Sequence, residues 1–353
     1  MAVIFFSRHH LPTVEELLSP IISTLDGCSL IGCTSDTIIG DTREVEEGPA
    51  VSLWLADLGT IALQPFHMHL EDTPDGQAIV GFPLIASGME AAILMADPFT
   101  FPTQVFLSSI NQDHPGLPVI GGMASGASRA GDNLLVFNNE VRTYGAVGAL
   151  IGIGAGVTPL VSQGCKPIGD TFTITGAHGN VIFELGGKPP VERLRQTLSQ
   201  LSPDDAALVH HGINIGIVID EKETELLPGD FLVRAVMHAN TESGHMVIGD
   251  NVQVGQSVQF QLRDADSAGS ELDFLIEAYA DSSASDVKGA LIFSCNGRGT
   301  GMFSIPNHDV TTLDAVLGPL PTAGMFCAGE IGPIGSRNYV HGFTASIALF
   351  TQR

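Results

Sequence analysis

The stretch Ala290-Leu291-Ile292-Phe293-Ser294 is apolar and ends abruptly in Cys295-Asn296-Gly297-Arg298-Gly299. A buried strand that ends in bare backbone amides beside one cation is a cradle for a small anion. Gly297 and Gly299 let the backbone approach a ligand closely, and a guanidinium grips a carboxylate through two parallel hydrogen bonds. The design recurs in Leu30-Ile31-Gly32-Cys33-Thr34-Ser35, in Val119-Ile120-Gly121-Gly122-Met123-Ala124-Ser125-Gly126, and in Met325-Phe326-Cys327-Ala328-Gly329-Glu330. Glu330 has glycines close by on both sides. With Arg298 it can hold a zwitterion, the arginine taking the carboxylate and the glutamate the ammonium group. A direct Arg298–Glu330 ion pair is the competing reading.

Other candidate chemistry is weaker. Cys33, Cys295 and Cys327 sit where loops can present a thiol, but a catalytic thiolate needs a base in reach, and no Cys/His protease signature is present. Small buried cysteines also serve as packing residues. His67 and His69 share one face of a strand, and a metal would need a further ligand from elsewhere. Gly152, Gly154 and Gly156 imitate a dinucleotide fingerprint, but Thr158-Pro159 follows where a helix should begin. No cofactor and no metal are expected.

These loops must be carried by strands and a few helices. Thr13-x-x-Glu16 has capping-box spacing, with Pro20 bending or ending the turn. Pro190 opens a helix with Val191, Leu194, Leu198 and Leu201 on one face. Further helices are expected over Gln104 to Ile110, around Leu272 to Tyr279, and over Val310 to Leu317 with Gly318 as its stop. Asn138-Asn139 between apolar arms reads as a hairpin turn. Ala92 to Asp97, a helix, and Leu117 to Gly121 share their order with Ala290 to Ser294, a helix, and Gly324 to Cys327. Placing Cys33 over Cys327 without gaps also sets Gly48 on Gly342, Ser52 on Ser346, Leu53 on Ile347 and Leu55 on Leu349. The expected fold is mixed α/β: two pseudo-repeated sheet-and-helix domains, residues 1–207 and 208–353, whose Gly/Cys strand-end loops meet at a shared cleft.

Composition bounds the partners. A formal net charge of -24, from 15 Lys and Arg against 39 Asp and Glu, leaves no basic cluster to neutralise phosphates, which argues against nucleic acid and anionic membranes. The five cysteines have no framework spacing, and Met1 to Arg8 reads as a first strand, not a signal peptide. The expected location is the cytoplasm.

Taken together, these segments resemble the FIST family, with N-terminal and C-terminal FIST domains in tandem. The N-terminal marks are Ile31 to Ser35, Arg43-Glu44-Val45-Glu46-Glu47-Gly48, Val119 to Gly122, Val161 to Gly169 and Gly179 to Ile182. The C-terminal marks are Gly229-Asp230-Phe231-Leu232-Val233-Arg234, Phe293 to Gly299 and Gly329 to Pro333. The resemblance implies a sensory domain for small ligands, with amino acids as the proposed class. Site residues are then expected among Cys33, Thr34, Ser35, Gly121, Gly122, Arg234, Cys295, Asn296, Gly297, Arg298, Gly299, Gly329 and Glu330. Relatives join such domains to kinase, chemotaxis, cyclic-dinucleotide or F-box modules. This chain leaves no length for one, so the expectation is either signalling through a separate partner protein or action as a stand-alone binder. A cysteine-dependent acyl-transfer enzyme and an interaction scaffold are the alternatives.

Overall fold

The computed structural model describes residues 1–353 except 26, 75, 86–87, 223–225, 227, 284–285 and 352–353. The chain forms two compact units: Met1–Ser162 with Leu272–Val340 and Thr344–Arg353, and Gln163–Glu271 with His341–Phe343.

In the first unit, one chain path occurs three times among the described residues. Repeat one runs through β1 (Ala2–Ser7), α1 (Val14–Thr24), β2 (Leu30–Ser35), the hairpin β3 (Ile38–Gly40) and β4 (Arg43–Val45), and β5 (Val51–Leu55). A second hairpin, β6 (Leu63–Thr73) and β7 (Gly76–Val80), follows. Repeat two is β8 (Met89–Ala96), α2 (Thr103–Asp113), β9 (Val119–Met123), the hairpin β10 (Leu135–Phe137) and β11 (Glu140–Arg142), and β12 (Ala146–Gly152), after which comes β13 (Thr158–Ser162).

The second unit holds β14 (Cys165–His178), β15 (Val181–Leu185), α3 (Pro190–Leu198), α4 (Pro203–Leu208), β16 (Ile213–Val218), β17 (Phe231–Ala239), β18 (Met246–Ile248) and β19 (Ser257–Arg263). Its strands close into a barrel in the order β14-β15-β18-β17-β16-β19, with Ile174, Phe231 and Phe260 buried. Helix α5 (Ala265–Ser282) leads on to repeat three: β20 (Val287–Cys295), α6 (His308–Leu317), β21 (Thr322–Cys327), the hairpin β22 (Glu330–Ile334) and β23 (Arg337–His341), and β24 (Ala345–Thr351).

In each repeat the first strand pairs in parallel with the second and antiparallel with the last. The hairpin does not stay at home. β3–β4 joins repeat three beside β21, β22–β23 joins repeat two beside β9, and β10–β11 joins repeat one beside β2. The repeats therefore interlock in a ring, each giving a hairpin to the next.

The backbone details recur as well. Ser7 N–H donates to Ala50 O, Asp97 N–H to Gly145 O, and Cys295 N–H to Thr344 O, each at 2.9 Å. Gly32, Gly121 and Gly324 occupy one position: a Cβ there would collide with the carbonyl oxygen of Ile4, Leu94 or Ile292, the residue's own partner across the parallel ladder.

The inner faces of the three sheets share one core, with Phe5, Ile31 and Trp54 meeting Ile93, Met95 and Ile120, and Leu291, Phe293 and Met325. Phe5 and Phe293, equivalent by register, touch edge to face at 5.9 Å. The outer faces have separate cores under α1, α2 and α6. All three first strands are buried on both faces near their ends, which accounts for their unbroken apolar runs.

The expected mixed α/β class holds, and the repetition extends beyond a duplication. The alignment of residues 33 and 327 is right from the hairpin turn onward: Asp41 and Gly335 share a positive φ, and Ser52 and Ser346 face Phe5 and Phe293. In the strands themselves it is two residues out, because Gly32 corresponds to Gly324 and Cys33 to Met325. Helix α1 does not stop at Pro20 but runs on to Thr24, and the Thr13 side chain makes no capping bond. Helices at Pro190, Gln104, Leu272 and Val310, and the Asn138 turn with φ 54°, lie where expected.

Candidate functional site

Strands β2, β9 and β21 end close together, and their loops touch directly. Cys33 Sγ lies 3.2 Å from Met325 Sδ. The Ser35 and Ser125 hydroxyls reach the Phe326 carbonyl at 2.7 and 2.6 Å and each other at 3.0 Å. Thr34 Oγ1 donates to Asn133 Oδ1 at 3.3 Å and accepts the Leu134 N–H. Asn133 in turn donates to buried Asp97 at 2.9 Å. Gly121 and Gly122 lie in β9, where a Cβ on Gly122 would strike Cys327 Sγ. Gly329 O accepts the Met123 N–H. Cys33, Thr34, Ser35 and Glu330 are fully buried, so these residues form a packed polar seam.

Arg298 is buried, and its side chain does not make the Glu330 ion pair entertained from sequence. It grips Asp309 at the start of α6 through two bonds, Nε–Oδ2 2.8 Å and Nη2–Oδ1 2.7 Å. Ser294 donates to the same carboxylate at 2.6 Å, and the guanidinium stacks 5.0 Å over Phe303. Burial alone would raise the Asp309 carboxyl. The Arg298 charge and the hydrogen bonds from His308, Arg298 and Ser294 outweigh it and hold the group well below the usual carboxylate range.

Two neighbouring acids behave oppositely. Glu44 Oε1 accepts the Val310 N–H at 3.1 Å, and Oε2 has no partner. Burial, with the Asp309 charge added, pushes its pKa up to about 7. Glu330 Oε2 accepts the Thr344 N–H at 3.1 Å, and Oε1 has no partner. Burial pushes Glu330 up to about 8, against the pull of that amide, the Cys295 thiol and the Arg298 charge.

Gly299, at φ 61°, leaves room for Glu46, whose Oε1 would lie 2.8 Å from a Cβ there and instead accepts the Thr300 N–H at 2.9 Å. Asn296 is exposed and its N–H donates to Cys327 O. Gly297 N–H donates to Cys295 Sγ at 3.4 Å. Arg234 lies on barrel strand β17 and pairs with Asp250 at 2.9 Å.

Beside the seam lies an open cavity of about 700 Å³. Arg8 after β1, Asp36 after β2, and Ser125, Gly126 and Asp132 after β9 line it. Arg8 Nε is 3.3 Å from Asp36 Oδ1, and both side chains are exposed. Ser125 Oγ accepts the Asp36 N–H at 3.1 Å, so the wall of the cavity and the seam share one hydroxyl. Sequence reasoning missed Arg8, Asp36 and Asp309. A signal was available: the segment from Ala124 to Leu134, between β9 and its hairpin, has no counterpart in the other repeats, where only Asp36-Thr37 or Ala328-Gly329 intervenes.

His67 and His69 stack on each other, and His67 Nε2 bonds to Tyr144 O at 3.1 Å. Among the described residues no group of His, Cys, Asp and Glu is placed to hold a metal ion, and no helix is long and apolar enough to cross a membrane.

The chain thus combines an interlocked three-repeat α/β unit, which carries the strand-end cavity, with a β-barrel unit. Residues 1–188 match the FIST N domain and residues 190–333 the FIST C domain. The chain belongs to the FIST family, whose domains are sensory domains of signal transduction. It is 43% identical over 350 residues to uncharacterized proteins of Mycobacterium bovis and Mycobacterium tuberculosis, covering 99% of this chain and 90% of each relative. A further uncharacterized Mycobacterium tuberculosis protein is 41% identical over 350 residues, covering 99% of this chain and 91% of the relative.

Proposed function

We propose that this protein senses a small zwitterion of the amino-acid class, received in the cavity beside the Ala124–Leu134 loop. The observation that carries this reading is the cavity's position. It opens at the carboxyl ends of parallel strands, where α/β folds receive ligands, and at the loop that breaks the threefold repetition. Arg8 takes the carboxylate through its guanidinium fork. Asp36, already 3.3 Å from Arg8, takes the ammonium group, and Ser125 and Gly126 offer small polar walls. The anion and cation roles expected of Arg298 and Glu330 thus fall to an accessible pair, with Ser35 and Thr34 supporting the cavity from the seam. Output passes to a separate partner protein.

Titration calorimetry against a panel of amino acids, simple amines and simple carboxylates tests this. A zwitterion should bind, each half-ligand should bind at least about tenfold more weakly, and Arg8→Ala and Asp36→Asn should each cost about tenfold or more in affinity. A ligand that binds Arg8→Ala as tightly as the parent, or no binding across the panel at millimolar concentration, ends the proposal.

A further inference from the structure

Cys295 and Cys327 are the last residues of β20 and β21 and face each other across the parallel ladder. Adjacent strands lie about 4.8 Å apart, inside the roughly 4.4–6.8 Å Cα spacing that a disulfide spans. Register partners project to the same face, and at a strand end the ladder has least to resist a small closure. The two thiols differ in access. Cys327 is fully buried, and Cys295 is half-buried at the mouth of its loop.

Cys295 also has the surroundings of a nucleophile. Its thiol lies close enough to the Glu330 carboxyl to lower that group's pKa, and the carboxyl is oriented by the Thr344 N–H. This is a nucleophile, a neighbouring carboxyl and a group that fixes the carboxyl. The Gly297 N–H points at Cys295 Sγ at 3.4 Å, a contact that favours a thiolate. Glu330 Oε1 has no hydrogen-bond partner although the residue is fully buried, so the base has an oxygen in reserve for a proton. The other described thiols lack this arrangement. Burial drives the Cys33 and Cys327 thiols far above their ordinary range, Cys165 is buried, and Cys28 donates to the carbonyl of its neighbour Ser29.

We propose that Cys295 is an oxidant-sensing thiol that a hydroperoxide converts, through a sulfenic acid, into a disulfide with Cys327. Above about pH 8, where Glu330 is ionised, its carboxylate takes the Cys295 proton, and the thiolate sulfur attacks the nearer peroxide oxygen. The O–O bond breaks and the far oxygen leaves as water, or as the alcohol, carrying the proton that Glu330 returns. The Cys327 sulfur then attacks the sulfenic sulfur, the S–O bond breaks, and a water leaves with the Cys327 proton. Two thiols give up two electrons and the peroxide takes them. Glu330 is a positioning and proton-accepting residue here and stays unmodified.

Peptide mapping without reductant, after a few equivalents of hydrogen peroxide, reads the outcome in the full-length protein. The expected product is one disulfide linking Cys295 to Cys327, formed before Cys28 is consumed. Cys327→Ser should instead accumulate a Cys295 sulfenic acid that dimedone traps, and Cys295→Ser should abolish oxidation of Cys327. Glu330→Gln, checked by its melting curve for an intact fold, should slow Cys295 oxidation about tenfold or more when the reaction is run at about pH 8.5–9. Oxidation of Cys28 as fast as Cys295 in the parent protein, or Cys295 driven to the sulfinic acid with Cys327 still reduced, overturns the proposal. Neither result bears on the cavity, because Arg8 and Asp36 play no part in it.

Discussion

The second and third repeats leave their second strand in different ways. After β21, Ala328 and Gly329 suffice, and the chain enters its hairpin at Glu330, a carboxyl sealed from water. After β9, residues 124–134 intervene, and the hairpin begins at Leu135, beside an open cavity. Glu330 and Leu135 are equivalent, since each pairs with the residue after the conserved-position glycine of its host strand: Glu330 with Gly122, Leu135 with Cys33. One backbone position therefore carries a buried acid in one copy and a core leucine in another. The repeats share the devices that build the fold and differ in the chemistry hung on it. Backbone hydrogen bonds and close-packed glycines are what an interlocked ring cannot lose, whereas strand-end side chains are free to diverge.

The comparison breaks most visibly at the glycines. Gly32→Ala, Gly121→Ala and Gly324→Ala each force a Cβ onto a backbone carbonyl that cannot move without disturbing its ladder. Each should cost roughly 3–5 kcal/mol, as strongly overpacked core sites do, and by similar amounts in urea melts. One tolerated substitution among the three would show that the positions are not equivalent. Arg298→Met should be nearly as damaging, about 3 kcal/mol, because it leaves Asp309 charged and buried without its cation. Arg234→Met in the barrel, where Asp250 retains some access to water, should cost about 1 kcal/mol.

The buried acids of this neighbourhood give a pH signature. In the folded protein burial raises Glu330 to about 8 and Glu44 to about 7, from the ordinary carboxyl value of 4.5. Between those limits the native state binds protons that the unfolded chain has released. As far as these groups decide it, stability is therefore fully present at and below about pH 4.5, declines as pH rises from there, and levels off above about 7 for Glu44 and about 8 for Glu330. The slope approaches about 1.4 kcal/mol per pH unit for each group. Asp309 acts in the reverse sense: its pKa is depressed, so its contribution is present above about pH 4 and disappears on further acidification. Glu330→Gln should flatten the fall between pH 5 and 8 in urea midpoints. An unchanged profile would mean that the acid is not held protonated.

Much of this was legible in the sequence, and the parts that were not share a cause. The apolar strands, the Asn138 turn and the helix openings at Pro190 and Val310 follow from local patterns, and local patterns hold where each repeat folds on itself. Both pairings needed for a threefold repeat were visible: residues 92–121 against 290–327, and residues 33–55 against 327–349. The third copy went unread because repeat two carries its extra loop between strand and hairpin, which spoils any ungapped match. Arg298 looked like a ligand anchor because its own loop is all that spacing reveals. Its true partner, Asp309, is supplied by the following helix, and the Glu44 and Glu46 walls come from a hairpin donated by another repeat. Hairpin exchange is invisible to periodicity. Arg234, chosen by resemblance alone, lies in the barrel.

The smallest effect on stability should accompany the largest on binding. Ser128 to Asp132 form the exposed tip of the loop that distinguishes repeat two. Arg129 and Asp132 pair with each other there, and both are solvated, so their bond adds little. Asn133, by contrast, ties Thr34 to Asp97 and must be kept. Removing Ser128 to Gly131 while retaining Asn133 and Leu134 shortens the connection without touching the buried seam. Loop-closure entropy changes slowly with length, so the deletion should shift the urea midpoint by the equivalent of less than about 1 kcal/mol. It also removes one wall of the cavity, and zwitterion affinity should fall at least about tenfold in the same calorimetric assay. If the shortened protein binds as before, the insertion is a passive bulge and the cavity owes nothing to the break in symmetry. If it binds weakly and melts normally, recognition resides in the segment where the second repeat departs from the other two.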